Sequence, residues 1–163
     1  MAQLRLVRPF YMDRYSSMMI SNVAGEYLEA AKITNSQNSD KFKPPYFLVC
    51  RSLELSLKAF LRGSGYSASQ LLNIRHDLDK CVERAVGAGL DGYVSLSEND
   101  RALISAANFY YKSKDFEYTI TGYKSRRPRV EPLIKLAERV WRGLRDFCVN
   151  HRKYHFGKPT AVL

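Results

Sequence analysis

The sequence is short of the residues that redox chemistry, metal binding and membranes call for. Among its 163 residues are three cysteines, three histidines and one tryptophan. An odd number of cysteines makes no disulfide framework. Cys50, Cys81 and Cys148 fall inside apolar helical patterns and read as buried reduced thiols, as in a cytoplasmic protein. There is no CxxC or HExxH spacing, so neither a metal site nor a cofactor is expected. No apolar run approaches the roughly 18 residues that a bilayer span needs. The opening stretch MAQLRLVRPFYMDRYSS has no clean apolar core followed by small residues, so a signal peptide is not expected. Acidic residues are also scarce, with 16 Asp and Glu against 26 Lys and Arg.

What is present is ordinary globular material, 45% hydrophobic and 26% charged, in a length suited to one domain. Its most continuously apolar stretch is Pro44–Leu61, PPYFLVCRSLELSLKAFL. As a helix it leaves no wide polar face, which marks a central, buried position. Arg51, Glu54 and Lys58 interrupt it, and the last two stand one helical turn apart. Before it, residues 15–32 read as an amphipathic helix on Met19, Val23 and Tyr27, with Ile20, Ala24, Leu28 and Ala31 beside them. The polar tract Thr34–Lys43 is expected to break that helix. Gly63 and Gly65 are expected to end the central helix by supplying left-handed or open backbone.

Three further helices follow from the same signals. One is built on Leu78, Cys81, Val82 and Ala85, capped by Asn73 or Asp77 and stopped by Gly87 and Gly89. A second follows the capping box of Ser97 and Asp100 and carries Leu103, Ile104, Ala107 and Tyr110–Tyr111. The last spans about 130–149 on Leu133, Ala137, Val140, Trp141, Leu144 and Phe147. A short helical turn at 67–72, capped by Ser67, fits between them. Residues 115–128 read as a long loop with one short strand. The expected fold is all-α, an up-and-down bundle of about five helices in a single domain with its core at about 15–151.

The net charge of +10 is unevenly placed. Residues 124–158 hold 11 Lys and Arg against three acids, so most of the excess lies in the last quarter. A localised cationic surface attracts phosphate backbones. Arg126, Arg127, Arg129, Arg142, Arg152 and Lys153 are the candidate RNA-binding residues. An acidic partner protein is the alternative for such a patch. Tyr110, Tyr111, Tyr118 and Tyr123, close in sequence to Arg126, Arg127 and Arg129, could stack on single-stranded bases or pack at the edge of a bundle.

SLELSLKAFL, a glycine-containing turn and then HDL ahead of an amphipathic helix resemble a HEPN domain, a small all-α bundle of bacterial defence and toxin–antitoxin systems. The resemblance covers about Tyr15 to His151. It implies a homodimer and binding of RNA or a nucleotide. Many HEPN proteins are metal-independent endoribonucleases with a late Arg-x(4–6)-His motif. Arg145 and His151 match that motif with Asp146 after the arginine, so the resemblance makes these three the candidate catalytic residues. Their chemistry suits RNA cleavage, since a histidine transfers protons near neutral pH and a guanidinium matches phosphate oxygens. In an unbroken helix the two would lie about 120° apart. The helix must therefore end near Asn150, in a left-handed turn that swings His151 round, or a second subunit must complete the site. Other HEPN proteins with the ELxLKA/HDL pattern lack the motif and serve to bind, dimerise or pair with a nucleotidyltransferase-type antitoxin. Glu54, Lys58, His76 and Asp77 read as a structural polar cluster that ties helices together. A polar pocket for a nucleotide is their functional alternative.

Overall fold

The computed structural model of the chain describes residues 15–37, 43–114 and 128–151. Every regular element among them is helical, six α-helices and one 3-10 turn. In order they are α1 (Ser17–Gln37), α2 (Lys43–Gly63), α3 (Ala68–Ile74), α4 (Leu78–Gly87), the 3-10 turn Leu90–Gly92, α5 (Glu98–Lys112) and α6 (Val130–Asn150). None of these helices is long and apolar enough to cross a membrane. The short strand expected at 115–128 falls almost wholly outside the described residues.

α2 is the centre. It packs against every other helix, most extensively against α1 and α6, and Leu53, Leu57, Phe60 and Leu61 are buried along it. Its start agrees with the sequence, since Pro44 and Pro45 sit in the first turn where no backbone donor is lost. Its end corrects one expectation. Gly65 has a left-handed φ of 100°, but Gly63 is the last helical residue and serves packing. A Cβ there would lie 2.6 Å from the Phe147 ring.

α1 differs from its expected form in two ways. It runs on through Thr34 to Gln37, because Thr34 Oγ1 donates to the Ala30 carbonyl and Ser36 Oγ to the Ile33 carbonyl. Those bonds occupy side chains that would otherwise compete with the helix. Its buried face is also the small-residue face, with Ser17, Ser21, Ala24, Gly25, Leu28 and Ala31. These let the backbones of α1 and α2 approach, and Ser17 and Ser52 hydroxyls donate across to the Ala59 and Ala24 carbonyls. The stripe of larger side chains is left outside: Met19 is 37% exposed and Val23 41%.

Gly25 gives this arrangement a direct check. A Cβ at Gly25 would stand 2.7 Å from the Trp141 ring, whose Nε1 donates to the Ser21 carbonyl. Gly25→Val is therefore expected to destabilise by about 1–3 kcal/mol through overpacking, read as a lower melting temperature by circular dichroism.

The three helices between α2 and α6 are set by their caps. Ser67 and Ser97 form capping boxes with Gln70 and Asp100. Asp77 caps α4 by accepting from the Lys80 backbone N–H. The same carboxylate accepts from Asn108 Nδ2 and pairs with Lys112 on α5, while Asn108 Oδ1 accepts from the Leu78 N–H. Burial pushes the Asp77 carboxyl up, but Lys112 and Asn108 outweigh it and hold the group below the usual range. This network pins α4 to α5 and fixes the turn in front of it, Arg75–His76.

Candidate functional site

The side chains that converge do so on Glu54, in the middle of α2. Its carboxylate is fully buried. Oε1 accepts from Lys58 Nζ at 2.6 Å. Oε2 accepts from Arg51 Nη1 at 3.1 Å, from His76 Nδ1 at 3.0 Å and from the Tyr111 hydroxyl. Burial pushes the Glu54 carboxyl up, yet Lys58, Arg51 and the hydrogen bonds outweigh it and leave the group below its ordinary value. Glu54 is thus a carboxylate at neutral pH. Tyr111 is driven the other way, by burial first and then by Glu54, and keeps its proton.

These partners arrive from three elements. Arg51 and Lys58 are three residues before and four after Glu54, on its own helix face. Tyr111 comes from α5, and His76 from the turn between α3 and α4. That turn carries unusual backbone at Arg75, with φ 57° and ψ −139°, a conformation that costs a non-glycine residue about 1–3 kcal/mol. It directs the Arg75 carbonyl to Lys58 Nζ at 2.6 Å. Arg75→Gly is expected to leave stability unchanged or raise it by up to about 1 kcal/mol, which a urea melt would read. It also removes an exposed cation without disturbing the carbonyl.

Because an ionised Glu54 has no proton to give, the hydrogen in its contact with His76 sits on Nδ1. Nε2 then has no hydrogen-bond partner among the described residues. The imidazole is 55% exposed and stands edge-on to the Tyr111 ring. It lines a groove of about 900 Å³ between α1, α2 and the α3–α4 turn.

The groove is lined by two unlike sets of side chains. Met19, Ile20, Val23 and Tyr27 of α1, with Leu55, Leu71 and Leu72, make up the largely apolar set, and Leu72 is 49% exposed. Among the described residues, Arg51, Lys58, Arg62, Arg75 and Lys114 supply five cations and Glu54 a carboxylate. No family model, curated protein or solved structure matches this chain.

The structure brings Glu54, Lys58 and His76 together and sets Asp77 into the adjoining α4–α5 network. Arg51, Arg75 and Tyr111 complete the site. Arg51 was visible in the α2 sequence, but Arg75 owes its place to a backbone turn without a glycine or asparagine to announce it. Of the two readings open for Tyr111, packing is the one seen: it is buried and bonded to Glu54, so it offers no face for stacking a base. Tyr110 packs edge-on against Phe109, while Tyr118 and Tyr123 lie outside the described residues.

The late motif is arranged differently. Asn150 is the last residue of α6, and His151 follows with φ −102° and ψ 30°. Asn150 is not left-handed, which corrects that expectation. His151 Nδ1 donates to the Phe147 carbonyl at 2.8 Å, and its ring stacks on Phe147 with centroids 4.0 Å apart. Arg145 lies over the Trp141 ring at 5.0 Å, and Asp146 is exposed. Among the described residues, no hydrogen bond or ion pair joins Arg145, Asp146 and His151 to one another. Of the cations proposed for RNA, Arg129 precedes α6 and is exposed, and Arg142 pairs with Glu138 at 2.7 Å. Arg126, Arg127, Arg152 and Lys153 lie outside the described residues.

Proposed function

We propose that this chain is a HEPN-like helical module that binds a nucleoside phosphate, free or within a single strand of RNA, in the groove between α1 and α2. The observation that carries the reading is that exposed apolar side chains and several cations line one cavity. An apolar side chain row left exposed on a folded helix marks a surface with a use. A base or sugar face fits against Met19, Val23 and Leu72, and a phosphate against Arg51 and Arg75, with fork geometry suited to its oxygens. Lys58 contributes charge from behind, since two of its protons are already committed to Glu54 and the Arg75 carbonyl.

Fluorescence anisotropy of a labelled uridine oligomer, competed with free adenosine 5′-monophosphate, tests this reading. Saturable binding that weakens with salt is expected, and competition by the mononucleotide distinguishes a single-nucleotide site from a strand-long one. Binding that is indifferent to Leu72→Asp and Arg75→Gly would sink it.

A second reading is supported by one further contact. The bond from His151 Nδ1 to the Phe147 carbonyl leaves Nε2 as the nitrogen that can exchange a proton. Cleavage of RNA through Arg145, Asp146 and His151 then requires a homodimer that brings one subunit's arginine to the other's histidine.

A further inference from the structure

His76 joins the buried network of Glu54 to the groove. Its Nδ1 proton is committed to the Glu54 carboxylate, which fixes the tautomer and leaves Nε2 as the open nitrogen of a ring that is 55% exposed. A neutral imidazole offers a lone pair at Nε2, and a protonated one offers a charged N–H donor. Against a phosphate oxygen the first repels and the second binds. The charged groups around the ring pull in opposite directions. Glu54 favours the second proton. Arg51, with Nη1 3.3 Å from His76 Nδ1, opposes it, as do Lys58 and Arg62 of α2, Arg75 of the same turn and Lys114 beyond α5. Tyr111 of α5 keeps its own proton, and Asn22, Tyr15 and Tyr27 complete the polar lining. Asp77, next in the chain, is spent on the Lys80 N–H, Asn108 and Lys112. The balance at Nε2 therefore turns on the charge that a ligand brings.

We propose that His76 makes this groove select a terminal phosphate, a phosphate monoester, over the diester inside a strand, by taking up a proton at Nε2 as the ligand binds. The inference rests on the groove's binding of a nucleoside phosphate and says which kind it takes. A monoester carries close to two negative charges at neutral pH, because its second proton leaves at about pH 6. A diester carries one. The dianion acts on Nε2 with about twice the field of the monoanion, and an adjacent negative charge favours the charged form of an imidazole. With a monoester seated, Nε2 gains a proton from solvent and donates it to a phosphate oxygen, while the Nδ1 proton stays on Glu54. Arg51 and Arg75 serve the other oxygens. With a diester seated, the arginines already match its single charge, and the neutral ring sets a lone pair against a phosphate oxygen.

The test is isothermal titration calorimetry of the full chain at about pH 7.5, above the second ionisation of the phosphate. The ligands are adenosine 5′-monophosphate and its methyl ester, adenosine 5′-methyl phosphate. Wild type is expected to bind the monophosphate at least about tenfold tighter than the ester, the size of one added charge-assisted hydrogen bond. Repeating the titration in buffers of different ionisation heat is expected to show proton uptake with the monophosphate and none with the ester. His76→Gln, whose amide keeps a donor for Glu54, is expected to bring the two affinities within about threefold and to abolish the uptake. Nitrogen-15 shifts of the wild-type His76 ring read the same event directly. They are expected to move from the neutral Nδ1–H tautomer to the imidazolium as the monophosphate is added. Equal affinities in wild type, a preference that survives His76→Gln, or a ring whose protonation does not change overturns this inference and leaves the binding site standing. Failure of both ligands and of the uridine oligomer to bind overturns the binding reading and this inference together.

Discussion

Glu54→Ala is expected to cost about 3–5 kcal/mol of stability, the usual result of stranding one side of a buried ion pair. Removing the carboxylate leaves Lys58, whose side chain is 13% exposed, facing the Arg75 carbonyl alone. It also leaves the buried Tyr111 hydroxyl and the Arg51 guanidinium without their acceptor. For a domain of this size such a loss lowers the melting temperature by roughly 10 °C, and thermal denaturation followed by far-ultraviolet circular dichroism would show it. Tyr111→Phe removes a single donor and should cost less, about 1–3 kcal/mol. The same cluster sets a direction for acid. Glu54, Asp77 and Asp100 all have carboxyl groups held below their ordinary values in the fold. Their contribution is complete above the unfolded carboxyl value of about 4 and is lost as pH falls through the lower folded values. Stability should be flat above about pH 5 on this count and fall steeply below about pH 4.

Arg75→Glu is expected to weaken binding of a nucleoside phosphate by about 100-fold, since it deletes one charge-assisted contact and sets a carboxylate against the phosphate. The substitution is unusually clean. Arg75 is exposed, its carbonyl contact to Lys58 belongs to the backbone, and its strained φ is no worse for glutamate than for arginine. The fold should therefore survive while affinity falls, as titration at fixed ionic strength would show. The salt dependence should also flatten, because one fewer cation meets the strand. Charge reversal at Lys135 on α6, which lies outside the groove, serves as the control and should matter much less. Equal losses at Lys135 and Arg75 would point to long-range attraction by a basic protein in place of a defined site.

Much of this fold was legible because local signals agreed with one another. The α2 stretch is apolar all round and is indeed central. The capping boxes at Ser67 and Ser97 began helices where expected. What misled was the assumption that the larger apolar residues of α1 must face the core. Glycine, alanine and serine on the opposite face allow a close approach to α2, and that packing won, leaving Met19 and Val23 to wall a groove. The Glu54–Lys58 pair was legible from its spacing, and its tie to His76 was expected. Arg75 and Tyr111 were not, because their roles depend on a left-handed backbone turn and on a contact across 57 residues of chain. Neither leaves a pattern in the sequence.

The most direct measurement is a methyl and backbone NMR titration of the full chain with adenosine 5′-monophosphate. Saturable shifts clustered on Met19, Val23, Leu55, Leu72, Arg75 and His76, and absent from Arg75→Glu at the same concentrations, are the predicted result. Shifts confined to the α6 cations, or none at all at millimolar nucleotide, would contradict a nucleoside-phosphate site in this groove.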